Sequence, residues 1–127
     1  MALQESGEMY LESILLLSRK NGAVRSVDIS EHMGYSKPSV SRAVGLLRSG
    51  GYIEVEDDGH IILTPAGLEM AEKILARHQL LTQLLEHLGV DPETASADAC
   101  KMEHVISDVS FAAIQEFVSR NGKSKEM

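Results

Sequence analysis

The chain has 127 residues, 43% of them hydrophobic but only 4% aromatic, with one cysteine and a formal net charge of -7. That apolar content builds an aliphatic core and excludes wholesale disorder, and no apolar run approaches the roughly 18 residues that a membrane span needs. The opening Met1-Ala2-Leu3-Gln4-Glu5 lacks the basic start and apolar run of a signal peptide. Cys100 cannot close an internal disulfide by itself, so a reducing cytoplasm is the expected compartment.

Helical periodicity predicts a first helix from about Gln4 to Lys20, with Tyr10, Ile14 and Leu17 on one stripe, Leu11 and Leu15 beside it, and Asn21-Gly22 as its stop. Ser26 is expected to cap a short second helix that stops at Gly34. Ser36 is expected to cap a third, with Pro38 in its first turn, Val40, Val44 and Leu47 on its apolar face, and Gly50-Gly51 as its end. Two strand-like runs, Tyr52 to Glu56 and His60 to Leu63, flank Asp57-Asp58-Gly59, a hairpin-turn signal; His60 reads as a surface residue at a strand end. Thr64-Pro65 opens a long fourth helix to His87 or Leu88, with Leu68, Ala71, Leu75, His78, Leu81 and Leu85 down one side and Gly89 as its stop. Asp91-Pro92 opens a fifth helix through His104. Ser107 breaks the chain or caps a sixth helix to about Arg120, and the tail from Asn121 is expected to fray.

A short helix, a tight glycine turn, a helix that starts with small polar and basic residues, and a hairpin make a winged helix-turn-helix. The fold class is therefore mainly α: a winged helix-turn-helix N-terminal domain over 1–64, then an all-helical domain over 65–127, with the helix over 65–88 linking the two. The net charge taken alone disfavours a nucleic-acid partner, but local charge decides phosphate contact. From Ser36 to Gly51 the chain carries Lys37, Arg42 and Arg48 and no acid. The expected contacts with double-stranded DNA come from the start of the third helix: Ser36, Lys37, Pro38, Ser39 and Arg42, with the arginine able to pair bidentately with guanine.

The segment Cys100-Lys101-Met102-Glu103-His104 places a thiol, a carboxylate and an imidazole three and four residues apart, hence on one helix face. Together these are ligands for a first-row transition metal. Met9 and Glu12 are also three apart, and His78 interrupts a leucine stripe. Each alone has an ordinary explanation as core filler, packed histidine or solvated acid; their combination points to metal. No phosphate-cradling glycine loop and no base beside a nucleophile suggests an enzyme.

The segments GEMYLESI, SKPSVSRAVGLLRSGGYI, LTPAGLEMAEKILARH and DACKMEHVISD resemble the diphtheria-toxin-repressor family of metal-dependent transcriptional regulators, and the resemblance runs from about Glu5 to Val118. It implies a homodimeric repressor that binds a palindromic operator when loaded with divalent metal, with no membrane and no small-molecule substrate. Carried over by motif, the primary-site ligands are Met9, Cys100, Glu103 and His104. His78 matches a second-site histidine and Glu12 matches a ligand of the manganese-responsive members.

The chain departs from both branches of that family. Met9 and Cys100 resemble the iron-responsive members, but the SH3-like domain that usually follows in those members is not expected here, and Thr82 and Ser96 stand where their ancillary-site acid and histidine fall. Glu12 follows the manganese branch. Because thioether and thiolate favour softer ions than manganese(II), iron(II) is the expected signal and manganese(II) the alternative, with cobalt, nickel or zinc as substitutes in vitro. A regulator without metal, using Cys100 as a redox switch, is a further alternative. The apolar faces Ile106, Val109, Ala113, Phe117 and Phe111, Ile114, Val118 are the candidates for dimerisation, the second equally for internal packing.

Overall fold

A computed structural model describes the backbone over 5–126 and side chains over 6–120. Its elements are α1 (Glu5–Asn21), α2 (Ser26–Met33), α3 (Lys37–Ser49), β1 (Ile53–Val55), β2 (Ile61–Leu63), α4 (Pro65–His87), α5 (Pro92–Met102) and α6 (Asp108–Glu126). The chain divides into two compact units, Met1–Lys73 and Ile74–Met127.

In the first unit, α1 packs on α2, α3 and β2. The predicted α1 stripe is the one buried: Tyr10, Leu11, Ile14, Leu15 and Leu17 all lie in the core, as do Val40, Val44 and Leu47 of α3. The wing is an antiparallel hairpin with Ile53 opposite Leu63, Glu54 opposite Ile62 and Val55 opposite Ile61. Alternation buries Ile53 and Ile61 while Glu54 and Ile62 face solvent. Both strands are shorter than expected. The amide of Ile61 donates to the carbonyl of Val24 at 2.8 Å, so the loop after α1 is tied to the wing by a backbone hydrogen bond that no local pattern around Val24 announced.

Helix starts follow capping chemistry with one correction. The N-cap of α2 is Arg25, not Ser26: the Asp28 carboxylate, at the third helical position, reaches back to accept from the Arg25 amide at 2.8 Å, the reverse half of a capping box. Ser36 caps α3 by accepting from the Ser39 amide at 3.3 Å, and Asp91 caps α5 by accepting from the Thr94 amide at 3.0 Å. The turn between α2 and α3 needs Gly34, whose φ of 73° is left-handed. Tyr35 follows, its carbonyl accepting from the Ser30 hydroxyl at 2.6 Å and its ring tilted 59° against that of Tyr10, 5.9 Å between centroids.

At the foot of the wing, the Thr64 hydroxyl donates to the Gly51 carbonyl at 2.6 Å and accepts from the Gly67 amide at 3.1 Å. A Cβ on Gly67 would lie 1.9 Å from the Tyr52 carbonyl oxygen, so only glycine lets α4 approach the hairpin this closely.

The expected α4 stripe holds for Ala71, Leu75 and Leu81 but not for Leu68, which is exposed; Ile74 and Arg77 are buried instead. In the second unit Ala95 and Ala99 are the buried residues of α5, their small side chains allowing close packing. α6 continues to Glu126, past the expected end near Arg120; the side chains of 121–126, and Met127, where fraying was expected, lie outside the described residues. Val118 is buried, whereas Val109 (81% exposed) and Phe117 form an apolar surface on the other side of α6.

Candidate metal centre

α5 carries Cys100 one position beyond buried Ala99 and ends at Met102, short of His104, which was expected inside it. Glu103 is its C-cap with helical dihedrals, its amide still donating to the Ala99 carbonyl at 2.9 Å. Cys100 and Glu103 therefore share a helix face, as expected, while His104 is delivered by the turn that follows. The amides of Val105 and Ile106 both donate to the Met102 carbonyl at 3.1 Å, which closes that turn. The thiol, carboxylate and imidazole end with their ligand atoms within 4.8 Å of one another.

Burial makes the group chemically unusual. Glu103 has no solvent exposure, and the His104 side chain has none either. His104 Nε2 stands 3.2 Å from Glu103 Oε1, and His78 Nδ1, brought in by α4, stands 3.1 Å from Glu103 Oε2. A carboxylate removed from water is costly unless charge or strong donors compensate it. One carboxylate between two imidazoles with a thiol beside them is a donor set of nitrogen, oxygen and sulfur suited to a first-row divalent ion.

The histidine from α4 is itself oriented. Its Nε2 lies 3.3 Å from the Ser96 hydroxyl, and its carbonyl accepts from the Thr82 hydroxyl at 2.7 Å. Thr82 and Ser96, the positions read as departures from the iron-responsive pattern, thus both touch His78. Sequence reasoning missed Arg77, the neighbour of His78, which is only 7% exposed. Its Nη1 donates to the carbonyls of Glu103 (3.3 Å) and Ile106 (3.1 Å), and its guanidinium pairs with Asp108 and lies 5.1 Å from the Phe111 ring centroid. Nothing in the spacing marked this arginine, which reads as an ordinary helix-surface charge.

The other expected site residues belong to the first unit. Met9 is half-buried on α1, beside buried Tyr10, and Glu12 lies one turn further along the same helix. Ser36, Lys37, Pro38 and Arg42 are exposed at and after the start of α3, and Ser39 is half-buried. Ser39 Oγ lies 3.0 Å from Ser36 Oγ, so both hydroxyls are engaged in the cap. Arg42 acts electrostatically on Tyr10, whose hydroxyl is pushed above the ordinary tyrosine range mainly by burial, then by Tyr35, with Arg42 opposing.

Comparison with known proteins bears on both units. Residues 2–61 match the iron dependent repressor N-terminal DNA binding domain, and residues 64–124 match the iron dependent repressor metal binding and dimerisation domain. The chain belongs to this family of metal-dependent transcriptional repressors. It is 36% identical over 117 residues to the transcriptional regulator MntR of Salmonella typhimurium, covering 92% of this chain and 74% of that one. With the diphtheria toxin repressor of Corynebacterium diphtheriae it shares 32% identity over 107 residues, 84% of this chain but 47% of that one. The structure of the manganese regulator SloR matches with a TM-score of 0.78 at 27% identity, over 94% of this chain and 55% of SloR. The chain thus spans about half the length of the latter two relatives. Family membership brings a DNA-binding and a dimerisation domain, in keeping with operator DNA and a second copy of the chain as partners. Among the described residues no helix is long and apolar enough to cross a membrane.

Proposed function

We propose that this protein represses transcription as a homodimer that binds a palindromic operator when loaded with divalent metal, through a centre made by Cys100, Glu103, His104 and His78. The observation that carries the reading is the fully buried Glu103 carboxylate set between two imidazole nitrogens with the Cys100 thiol nearby. A bound ion supplies positive charge to this cluster and a fixed coordination geometry. The family resemblance adds Met9 and Glu12 of α1 as further ligands. The domains divide at about residue 64, with α4 as the link.

On the DNA side, Lys37 and Arg42 supply the cationic contacts and Ser36, Pro38 and Ser39 shape the leading end of the reading helix. An engaged Ser36–Ser39 pair makes these serines positioning groups first, leaving base readout mainly to Arg42. Two α3 helices of a dimer must stand about 34 Å apart to enter successive major grooves on one face of a duplex. Ligands on α1 and on α5 give the protein a means of fixing that spacing.

Thiolate and thioether donors favour iron(II) as the signal, with cobalt, nickel and zinc able to substitute in vitro. Manganese(II) is the second reading, favoured by Glu12 and by the similarity to a regulator named MntR. Anaerobic titration of the reduced protein with each metal, read by anisotropy of labelled promoter DNA, separates them. Half-activation by iron at far lower concentration than by manganese supports the first reading; equal or reversed potency supports the second. No response to either removes metal sensing and leaves a Cys100 redox switch.

A further inference from the structure

We infer that Arg77 is a positioning residue for the metal centre, holding the turn that presents Glu103 and His104 by its backbone carbonyls; the inference rests on the metal-centre reading above. α5 ends at Met102 with Glu103 as its C-cap, and the carbonyls that follow lie past the regular helical ladder. Arg77 Nη1 takes two of them, Glu103 and Ile106, which bracket the turn. A cation at a helix C-terminus also faces the negative end of the helix dipole.

The neighbouring residue completes the grip. His78 reaches the Glu103 carboxylate at 3.1 Å while Arg77 reaches the Glu103 carbonyl at 3.3 Å, so two consecutive residues of α4 hold Glu103 at its side chain and at its backbone. The far edge of the guanidinium is fixed by Asp108, and Phe111 lies 5.1 Å from the guanidinium carbon. Asp108 is itself 78% exposed in its side chain, and its pair with the arginine joins it to the buried cluster. Lysine cannot replace this arrangement. A single ammonium lacks the planar fork that serves two carbonyls on one side and a carboxylate on the other.

The test uses the full reduced chain titrated with cobalt(II) alone, read by the near-ultraviolet thiolate-to-cobalt absorption, with thermal melting of the metal-free protein alongside. Arg77→Lys is expected to weaken cobalt binding about ten- to a hundredfold, the usual cost of removing an outer partner of a metal ligand, and to shift the absorption band. Asp108→Asn, a change at the exposed end of the chain of contacts, is expected to weaken binding in the same direction with the metal-free melt unchanged. A residue that only stabilises the fold lowers the melt and leaves affinity and band alone; that result in Arg77→Lys overturns the inference. If Arg77→Lys does not fold, Asp108→Asn decides, and parental affinity there overturns it. A parent protein with no thiolate–cobalt band overturns the metal-centre reading and this inference with it, whereas a parent band that both variants reproduce overturns this inference alone.

Discussion

Glu103 Oε2 lies 3.1 Å from Nδ1 of His78, which joins a fully buried carboxylate at the end of α5 to an imidazole from the middle of α4. Removing the carboxylate should therefore disable metal binding rather than the fold. In the parent, metal at a hundredfold excess over its Kd should raise stability by about 2.7 kcal/mol, and a chelator should reverse the gain. In Glu103→Ala the gain and the metal response of DNA binding should vanish while the metal-free circular dichroism stays parental. A variant that still melts higher with metal would show that Glu103 is not a ligand.

Cys100→Ser exchanges a soft donor for a hard one at a half-buried position. Cobalt(II) and iron(II) affinity should fall at least tenfold, manganese(II) affinity much less, because thiolate selects the softer ions. Calorimetric titration of both proteins checks the ratio, and an equal loss for every metal would mean that the thiol lies outside the coordination shell.

Arg42→Ala should cost about 1–3 kcal/mol of operator affinity and relax sequence preference at one base pair, whereas Lys37→Ala should weaken all sequences alike and flatten the salt dependence. Both side chains are exposed on α3, so neither change should alter the melt. Anisotropy over a panel of single-base operator variants distinguishes the two behaviours.

Gly67→Ala places a methyl group 1.9 Å from the Tyr52 carbonyl oxygen. Relief requires moving backbone, so the expected loss is about 1–3 kcal/mol, seen as a lower urea midpoint with an unchanged slope. A parental midpoint would mean that the foot of the wing is looser than described.

Asp58 accepts from the His60 amide at 3.1 Å and lies 2.8 Å from its imidazole, and the amide contact foremost holds its carboxyl below the ordinary aspartate value of 3.8. A depressed folded value means that the turn gains stability from this carboxylate above the ordinary value and loses it as pH falls through the lower one. The His60 amide resonance should titrate with a midpoint under 3.8, and Asp58→Asn should abolish that step. A midpoint at or above 3.8 would show that the contact is not made in solution.

The sequence made the helices legible because their caps and apolar stripes are local: Ser36, Thr64 and Asp91 each cap the helix assigned to them. The cap of α2 was misread because serine is a common N-cap, whereas here it falls at the first helical position and Asp28 reaches back to the Arg25 amide. Cys100, Glu103 and His104 were legible as a group from spacing, although a turn rather than a helix presents His104. Arg77 was not, because its partners lie 26 to 31 residues away and its own neighbourhood is that of any amphipathic helix. The choice between iron and manganese was not legible either, since soft donors and Glu12 point in opposite directions, and SloR is named a manganese regulator while the matching family models are named iron dependent repressor.

Tyr10 stands next to Met9 and rests on Tyr35, the residue just before the cap of α3. The ring contact joins the first helix to the turn that leads into α3. If α1 turns about its axis, Tyr10 must leave Tyr35 or carry it along, and the leading end of α3 follows. A pull applied at Met9 would then be felt at Ser36 within a single step of side-chain contact, with no need for a long relay through the core.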